Sequence, residues 1–226
     1  GNVHSFSAVA EAYQDALAAG AGTVRVLLPD ALKKTVGKLL DNVEFAPSTP
    51  SGSFSQKALP ETLDLANWAN GILLAGDFGR NSETAILIEK FMQKTNKPLV
   101  AVKDAADYLV QIPKSIEMRG NTTLIVTVAE LQKLAKNLHF EEPVQFSMST
   151  LQFVEFLHVF TKRNRILVVI QHNDMAFVAV DGEVSTTALP TGNEEIWQTK
   201  TAALACVWWL QNPDKPFATL TTCLIS

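Results

Sequence analysis

The chain has 226 residues, 47% of them hydrophobic, enough for one large α/β domain or two small ones with an ample core. A formal net charge of −4 leaves no basic footprint for nucleic acid. No apolar run reaches the roughly 18 residues that a membrane span needs.

Cys206 and Cys223 both lie in apolar C-terminal stretches and read as reduced, buried thiols, which suits a cytoplasmic protein. The N-terminus has neither a basic region nor an apolar one of signal-peptide type. Gly1-Asn2, with no Met, reads as a processed or trimmed start, and an upstream segment is expected to be missing.

In chain order, Ser7 to Leu17 sets Val9, Tyr13, Ala16 and Leu17 on one helical face, with Gly20 as the C′ residue. Thr23 to Leu28 reads as a strand closed by Pro29. Asp30 is placed to cap a helix whose apolar stripe is Leu32, Val36, Leu39 and Leu40. Val43 to Phe45 is a short strand. The polar loop Pro47 to Ser55 (PSTPSGSFS) is either a plain surface connection or a lid beside a site. Lys57 to Ala69 is a helix.

Asn70 to Leu109 organises the chain as strand, glycine-containing loop, helix, strand, helix. Ile72 to Ala75 and Leu99 to Val102 are uninterrupted apolar runs, expected in the interior of a mostly parallel sheet. Between them, Gly76 to Ser82 (GDFGRNS) turns into a helix. Such a corner presents free backbone N–H groups to an anion.

Asn121 to Val126 is another strand, and Thr127 to Leu138 a helix with Leu131, Leu134 and Leu138 in register. Ser149 and Gln152 have capping-box spacing ahead of a helix Thr150 to Lys162. Arg165 to Ile170 is a strand. Asp181-Gly182 joins Ala176–Val180 to Glu183–Ala188 as a hairpin. Glu194 to Gln211 is a long apolar helix stopped by Asn212-Pro213, and Phe217 to Ile225 is helical. This order predicts a single domain, a mainly parallel sheet covered by helices on both faces, with an antiparallel addition near the C-terminus.

Four segments carry a family resemblance. Ala16 to Val24 (ALAAGAGTV) is similar to the helix-to-strand segment AL-AGAG-V of the nucleotide-dependent NAD(P)H-hydrate dehydratase branch of the ribokinase-like superfamily, a carbohydrate-kinase-like group. Ile72 to Gly79 (ILLAGDFG) resembles its V-IGPGLG loop, and Pro98 to Asp104 its PLVLDADAL strand end. The strand, Asp-Gly hairpin and apolar C-terminal helices resemble the end of the family fold.

The resemblance implies a three-layer α/β/α domain, ATP or ADP as nucleotide and Mg2+ if the protein is catalytic. The chain also departs from the family. Its opening strand and glycine-rich loop are not visible here. The TPHPGE loop is reduced to Thr127-Val128-Ala129-Glu130. The GxGD motif, which supplies an anion hole and a catalytic Asp, reads Pro190-Thr191-Gly192-Asn193-Glu194-Glu195.

The candidate ligand residues are therefore Gly76, Gly79, Arg80, Asn81 and Gly192, and the candidate catalytic carboxylates are Glu194 and Asp104. Each has a plainer alternative. Gly76 and Gly79 permit a tight turn, with Asn81 or Ser82 as an N-cap. Asp104 is a helix N-cap. Asn193 is also an N-cap, with Glu194 and Glu195 favouring the helix dipole. His4, His139, His158 and His172 show no metal spacing, and no P-loop is present. Trp208-Trp209 serves packing.

Three functions are expected from these residues: a degenerate family member that binds a nucleotide or other phosphate compound with little catalysis, an active dehydratase or small-molecule kinase with a rewired site, or a protein whose apolar C-terminal helices build a homo-oligomer.

Overall fold

The computed structural model describes residues 1–36, 40–189 and 196–225. Its elements alternate along most of the chain. After α1 (Ser7–Ala18) come β1 (Val26–Pro29), a 3-10 turn (Asp30–Leu32), α2 (Lys33–Val36) and β2 (Val43–Ala46). Then follow α3 (Leu59–Trp68), β3 (Ile72–Leu74), α4 (Ser82–Lys94), β4 (Leu99–Val102), α5 (Asp104–Leu109) and α6 (Pro113–Glu117). The second half holds β5 (Thr122–Val126), α7 (Val128–Asn137), α8 (Thr150–Arg163), β6 (Leu167–His172), β7 (Met175–Val180), β8 (Glu183–Ala188), α9 (Ile196–Gln211) and α10 (Pro216–Thr222).

The main sheet runs β3-β4-β5-β6-β7-β8, parallel from β3 to β6 and antiparallel beyond. Alternation along its central strands divides the core. Leu99, Ala101, Leu124, Val126, Val168 and Ile170 face α4 to α8, whereas Val100, Val102, Ile125 and Val169 face α9 and α10. Both faces are covered, which is why these strands carry no polar alternation. The result is the three-layer α/β domain expected, with the Asp181-Gly182 hairpin in place. Both turn residues have positive φ, 51° and 86°, as a type I′ turn requires.

Local chemistry explains several helix ends. Ser149 and Gln152 form the expected capping box, and Thr127 and Glu130 form a second. At the end of α1, Gly20 (φ 94°) donates to the Leu17 carbonyl and Ala21 to that of Ala16, a Schellman closure.

Several expectations are corrected. The buried stripe of α1 is Ala8, Ala12, Tyr13 and Ala16, and Leu17 is exposed. Asp30 caps no helix: its carboxylate accepts from the Ser48 N–H (3.1 Å) and hydroxyl and so ties down the 47–55 loop. Strand β6 runs on to His172 and turns at Asn173 (φ 53°) into β7, a second hairpin. His172 is buried, its ring stacked on Phe153 and its Nε2 2.7 Å from the Met148 carbonyl.

The largest correction concerns β3, which is not interior. It is an edge of the main sheet, and Ile72, Leu73 and Leu74 are only half-buried. Strands β1 and β2 pair with each other in a separate two-stranded parallel sheet. Helix α9 spends its apolar surface inside the chain, between the sheet and α1. Leu204, Cys206, Val207 and Trp209 are buried, and the half-buried Trp208 donates to the Ala19 carbonyl at 3.3 Å. No described helix is long and apolar enough to cross a membrane.

Candidate functional site

In a parallel α/β sheet, ligands are met at the carboxyl ends of the strands. Here that edge carries the 75–81 turn after β3, Lys103 and Asp104 after β4, and Thr127 after β5.

The turn is built tightly. Gly76 has φ 90° and Gly79 φ 69°, where a side chain is strained. Space is also absent: a Cβ on Gly76 would lie 2.8 Å from the Ala8 Cβ, and one on Gly79 2.6 Å from the Ser53 hydroxyl. Asn81 is the N-cap of α4, its side chain accepting from the Glu83 N–H at 2.8 Å. Its own N–H donates to the Tyr108 hydroxyl at 2.9 Å, and that hydroxyl donates to the Gly79 carbonyl. Asn2 reaches in from the N-terminus and donates to the Asp77 carbonyl at 3.2 Å.

The 47–55 loop is fastened over this turn. Ser55 donates to Glu83 (2.7 Å), Asn81 to the Ser51 hydroxyl (3.1 Å) and Thr84 to the Phe54 carbonyl (2.7 Å). Phe54 also packs on Phe78. The bonds make the loop a structural connection that shapes one wall of the turn. Arg80 stands apart: it is exposed and makes no hydrogen bond or ion pair with another described residue.

Lys103 occupies the N-cap position of α5 at φ 57° and ψ −137°, with no side-chain cap. A non-glycine residue there costs on the order of 1–3 kcal/mol. Asp104 is the first residue of the helix, not its cap. Its negative charge favours the helix dipole and reaches both the Tyr108 phenol and the Gly1 amine. Burial raises the Tyr108 phenol above its ordinary range. Asp104 and Asp107 push the same way, and the bond to Asn81 and the charge of Arg80 oppose them. Burial holds the Gly1 amine down at about 5 against the pull of Asp77 and Asp104. Around Tyr108 the chain therefore gathers Arg80, Asp104 and Asp107, and Asp107 is paired with Lys133 at 2.8 Å.

At the end of β5, Glu130 accepts from the Thr127 N–H (2.7 Å) and hydroxyl (2.8 Å). Burial raises its pKa, and the bonds from Thr127 partly offset that. This carboxylate is committed to capping. Thr191, Gly192, Asn193, Glu194 and Glu195 lie outside the described residues. Among the described residues no group of three or more His, Cys, Asp or Glu side chains is arranged to hold a metal ion. The described residues thus show no protein cage for Mg2+. Cys206 and Cys223 are free and buried, and burial pushes both thiols up to about 12.

A cavity of about 810 Å3 lies beside this edge, its lining including Val26 and Leu27 of β1, Leu73 and Leu74 of β3, Trp68 and Val207. It borders the candidate site at Gly1, Phe54, Ala75 and Phe78. Sequence reasoning missed this cavity, Tyr108 and Asn2. Tyr108 sits four residues after Asp104, so one turn of α5 brings it back to the same edge, a signal that the spacing did contain. Nothing local marked Asn2.

No protein-family model matches this sequence, and no curated protein matches it. Solved structures do. A ribokinase-like superfamily protein from Enterococcus faecalis V583 superposes with a TM-score of 0.67 at 13% identity, covering 97% of this chain and 73% of its own. A hypothetical protein from Streptococcus mutans gives a TM-score of 0.66 at 11% identity, covering 96% of this chain and 74% of its own. At such identities the likeness shows the fold, which is ribokinase-like.

Proposed function

We propose that this ribokinase-like chain binds a phosphorylated small molecule, with ATP or ADP as the first candidates, at the carboxyl edge of its parallel sheet and turns it over little or not at all. The observation that carries this reading is the backbone of Lys103. A lysine held at φ 57° without a compensating side-chain bond, at the end of the fully buried strand β4, stores strain where α/β ligands bind. The same edge carries Arg80, free of any described partner, and the N-terminus of α4, whose dipole favours an anion. Mg2+ of the kind the resemblance implies would be carried chiefly by the phosphates of the nucleotide, as Mg2+ commonly is, with no protein cage among the described residues.

The weak-catalysis part rests on chemistry. In-line phosphoryl transfer needs a base at the attacking hydroxyl and donors against the developing charge. The Asp of the family motif is replaced in Thr191 to Glu195, and a Glu at a shifted position is a poor substitute. Misplacement by about 1 Å already costs on the order of 100-fold. Asp104 gives a second reading, an active enzyme: its carboxylate has no hydrogen-bond partner among the described residues and so is free to accept a proton.

Calorimetry with ATP, ADP and inorganic phosphate, with and without Mg2+, tests binding. Arg80→Ala and Lys103→Ala should each weaken it by roughly tenfold or more, the loss of a charged hydrogen bond being worth about 1.5–3 kcal/mol. Unchanged dissociation constants in both variants would return these cations to the solvated surface. An assay of ATP and ADP against hydrated NADH, repeated with Glu194→Gln and Asp104→Asn, tests turnover. Robust activity that collapses in either variant replaces the weak-catalysis reading with the enzyme.

A further inference from the structure

At its antiparallel end the main sheet stops on β8. Among the described residues no strand pairs with the outer side of β8. The hairpin fixes which backbone groups face outward. Glu183 closes the two-residue turn opposite Val180, and at the far end the Leu189 N–H donates to the Asp174 carbonyl at 3.0 Å. Opposed residues in an antiparallel ladder alternate between bonded and unbonded pairs. Glu183, Ser185 and Thr187 therefore bond β7, and the N–H and carbonyl groups of Val184, Thr186 and Ala188 point outward.

Native proteins blunt such edges with Lys, Pro, a bulge or a charge. None of these interrupts Val184-Ser185-Thr186-Thr187-Ala188, whose register with β7 is unbroken. The neighbouring helix adds apolar surface. Leu151, Glu155, His158 and Lys162 form one exposed stripe on α8. A Cβ on Gly182 would lie 3.2 Å from Lys162 and 3.4 Å from His158, so this stripe borders the hairpin. Helix α8 leads back into β6, and β8 is parallel to β6, so α8 and β8 run in opposite directions. The four strand residues from Gly182 to Thr186 rise about 13 Å, a distance that about nine helical residues cover. Leu151, 67% exposed, therefore stands level with Thr186.

We propose that the outer edge of β8 pairs with β8 of a second copy of this chain, antiparallel about a two-fold axis through Thr186, with Leu151 meeting its counterpart beside the axis. In that register Thr186 faces Thr186 and Val184 faces Ala188, and each pair exchanges two backbone hydrogen bonds. The charges select a second copy as the occupant. Glu183 falls opposite Leu189, and Glu155, Lys162 and Asp181 lie away from the axis, so no charge meets its own counterpart. The contact then has an uncharged centre of Leu151, Val184, Thr186 and Ala188 and a charged rim, the usual anatomy of an interface. The strand is short, which puts the contact at the small end of stable interfaces and sets association in the micromolar range, roughly 1–100 μM.

Sedimentation of the 226-residue chain and three variants is the test. Thr186→Pro removes an outward N–H and no bond to β7. Leu151→Lys and Leu151→Glu each set like charges against each other beside the axis, at a position too exposed to disturb the fold. The unaltered chain should dimerise, and each variant alone should raise the dissociation constant about 30-fold or more. An equimolar mixture of Leu151→Lys and Leu151→Glu should restore the dimer, because unlike charges then face each other. Melts followed by circular dichroism establish that the variants are folded, and if Thr186→Pro is not, the Leu151 pair decides alone. A chain that stays monomeric up to about 200 μM would overturn the proposal, as would a dimer indifferent to both Leu151 variants. Loss in both Leu151 variants without rescue on mixing would overturn the two-fold contact at Leu151. A folded Thr186→Pro that still dimerises would overturn the strand pairing.

Discussion

Strands β3 and β4 are near twins in sequence, Ile72-Leu73-Leu74 beside Leu99-Val100-Ala101-Val102, yet they live differently. Every residue of β4 is fully buried, with a parallel neighbour on each side and helices on each face. Every residue of β3 is half-buried, with a neighbour on one side and a cavity on the other. The difference teaches that a continuous apolar run reports the burial a strand demands and says nothing of which strand supplies it. Strand β3 has the composition of an interior strand and the surroundings of an edge.

The sharpest way to break this comparison is truncation on each side of it. Leu99→Ala should destabilise by about 2–5 kcal/mol, because its surroundings cannot collapse onto the void, and Leu73→Ala by less than about 1.5 kcal/mol. Denaturant midpoints at constant slope measure both, and equal losses would mean that β3 is as enclosed as β4.

The pH dependence probes the same edge. The Gly1 amine is pushed from 8.0 down to about 5 in the folded chain. The unfolded chain therefore binds a proton between these values that the folded chain refuses, so this group's contribution is neutral above pH 8 and becomes a penalty as pH falls toward 5. Three units correspond to at most about 4 kcal/mol. Unfolding free energies at pH 8 and pH 5, with and without N-terminal acetylation, measure it. Acetylation should remove this part of the slope, and an unchanged slope would place the amine in water.

A smaller effect is expected at the turn leaving β3. Gly76→Ala should cost about 1–3 kcal/mol, through positive φ and the contact with Ala8. A neutral result in thermal melts would show that α1 yields at this edge, as it could not beside β4. The smallest effect is a gain: Lys103→Gly should stabilise by up to about 1 kcal/mol by releasing backbone strain while weakening phosphate binding, whereas Lys103→Ala weakens binding and keeps the strain. The two variants behaving alike in stability would remove strain from the account of this site.

Much of the candidate site was legible because its signals are local. The Gly76 to Ser82 turn, the Asn81 cap and the placement of Asp104 after a buried strand all follow from residues within one helical turn of each other. What was not legible depends on chain distant in sequence. Asn81 takes its second partner from Tyr108, 27 residues on, and the glycines are crowded by Ala8 and Ser53. Asp104 looked like a cap because Asp favours that position, but the backbone at Lys103 had already turned.

By itself the sequence determined the alternation of strands and helices, the two-faced burial of β4 to β6, the Asp181-Gly182 turn and the Ser149 capping box. Each of these is settled by periodicity or by groups a few bonds apart. Only the tertiary structure decided that β3 is an edge, that β1 and β2 stand apart from the main sheet, and that Trp208 seats against Ala19 within the chain. Strand neighbours and helix contacts are chosen by the packing of the whole core, and equal apolar runs compete for the same places until the complete topology assigns them.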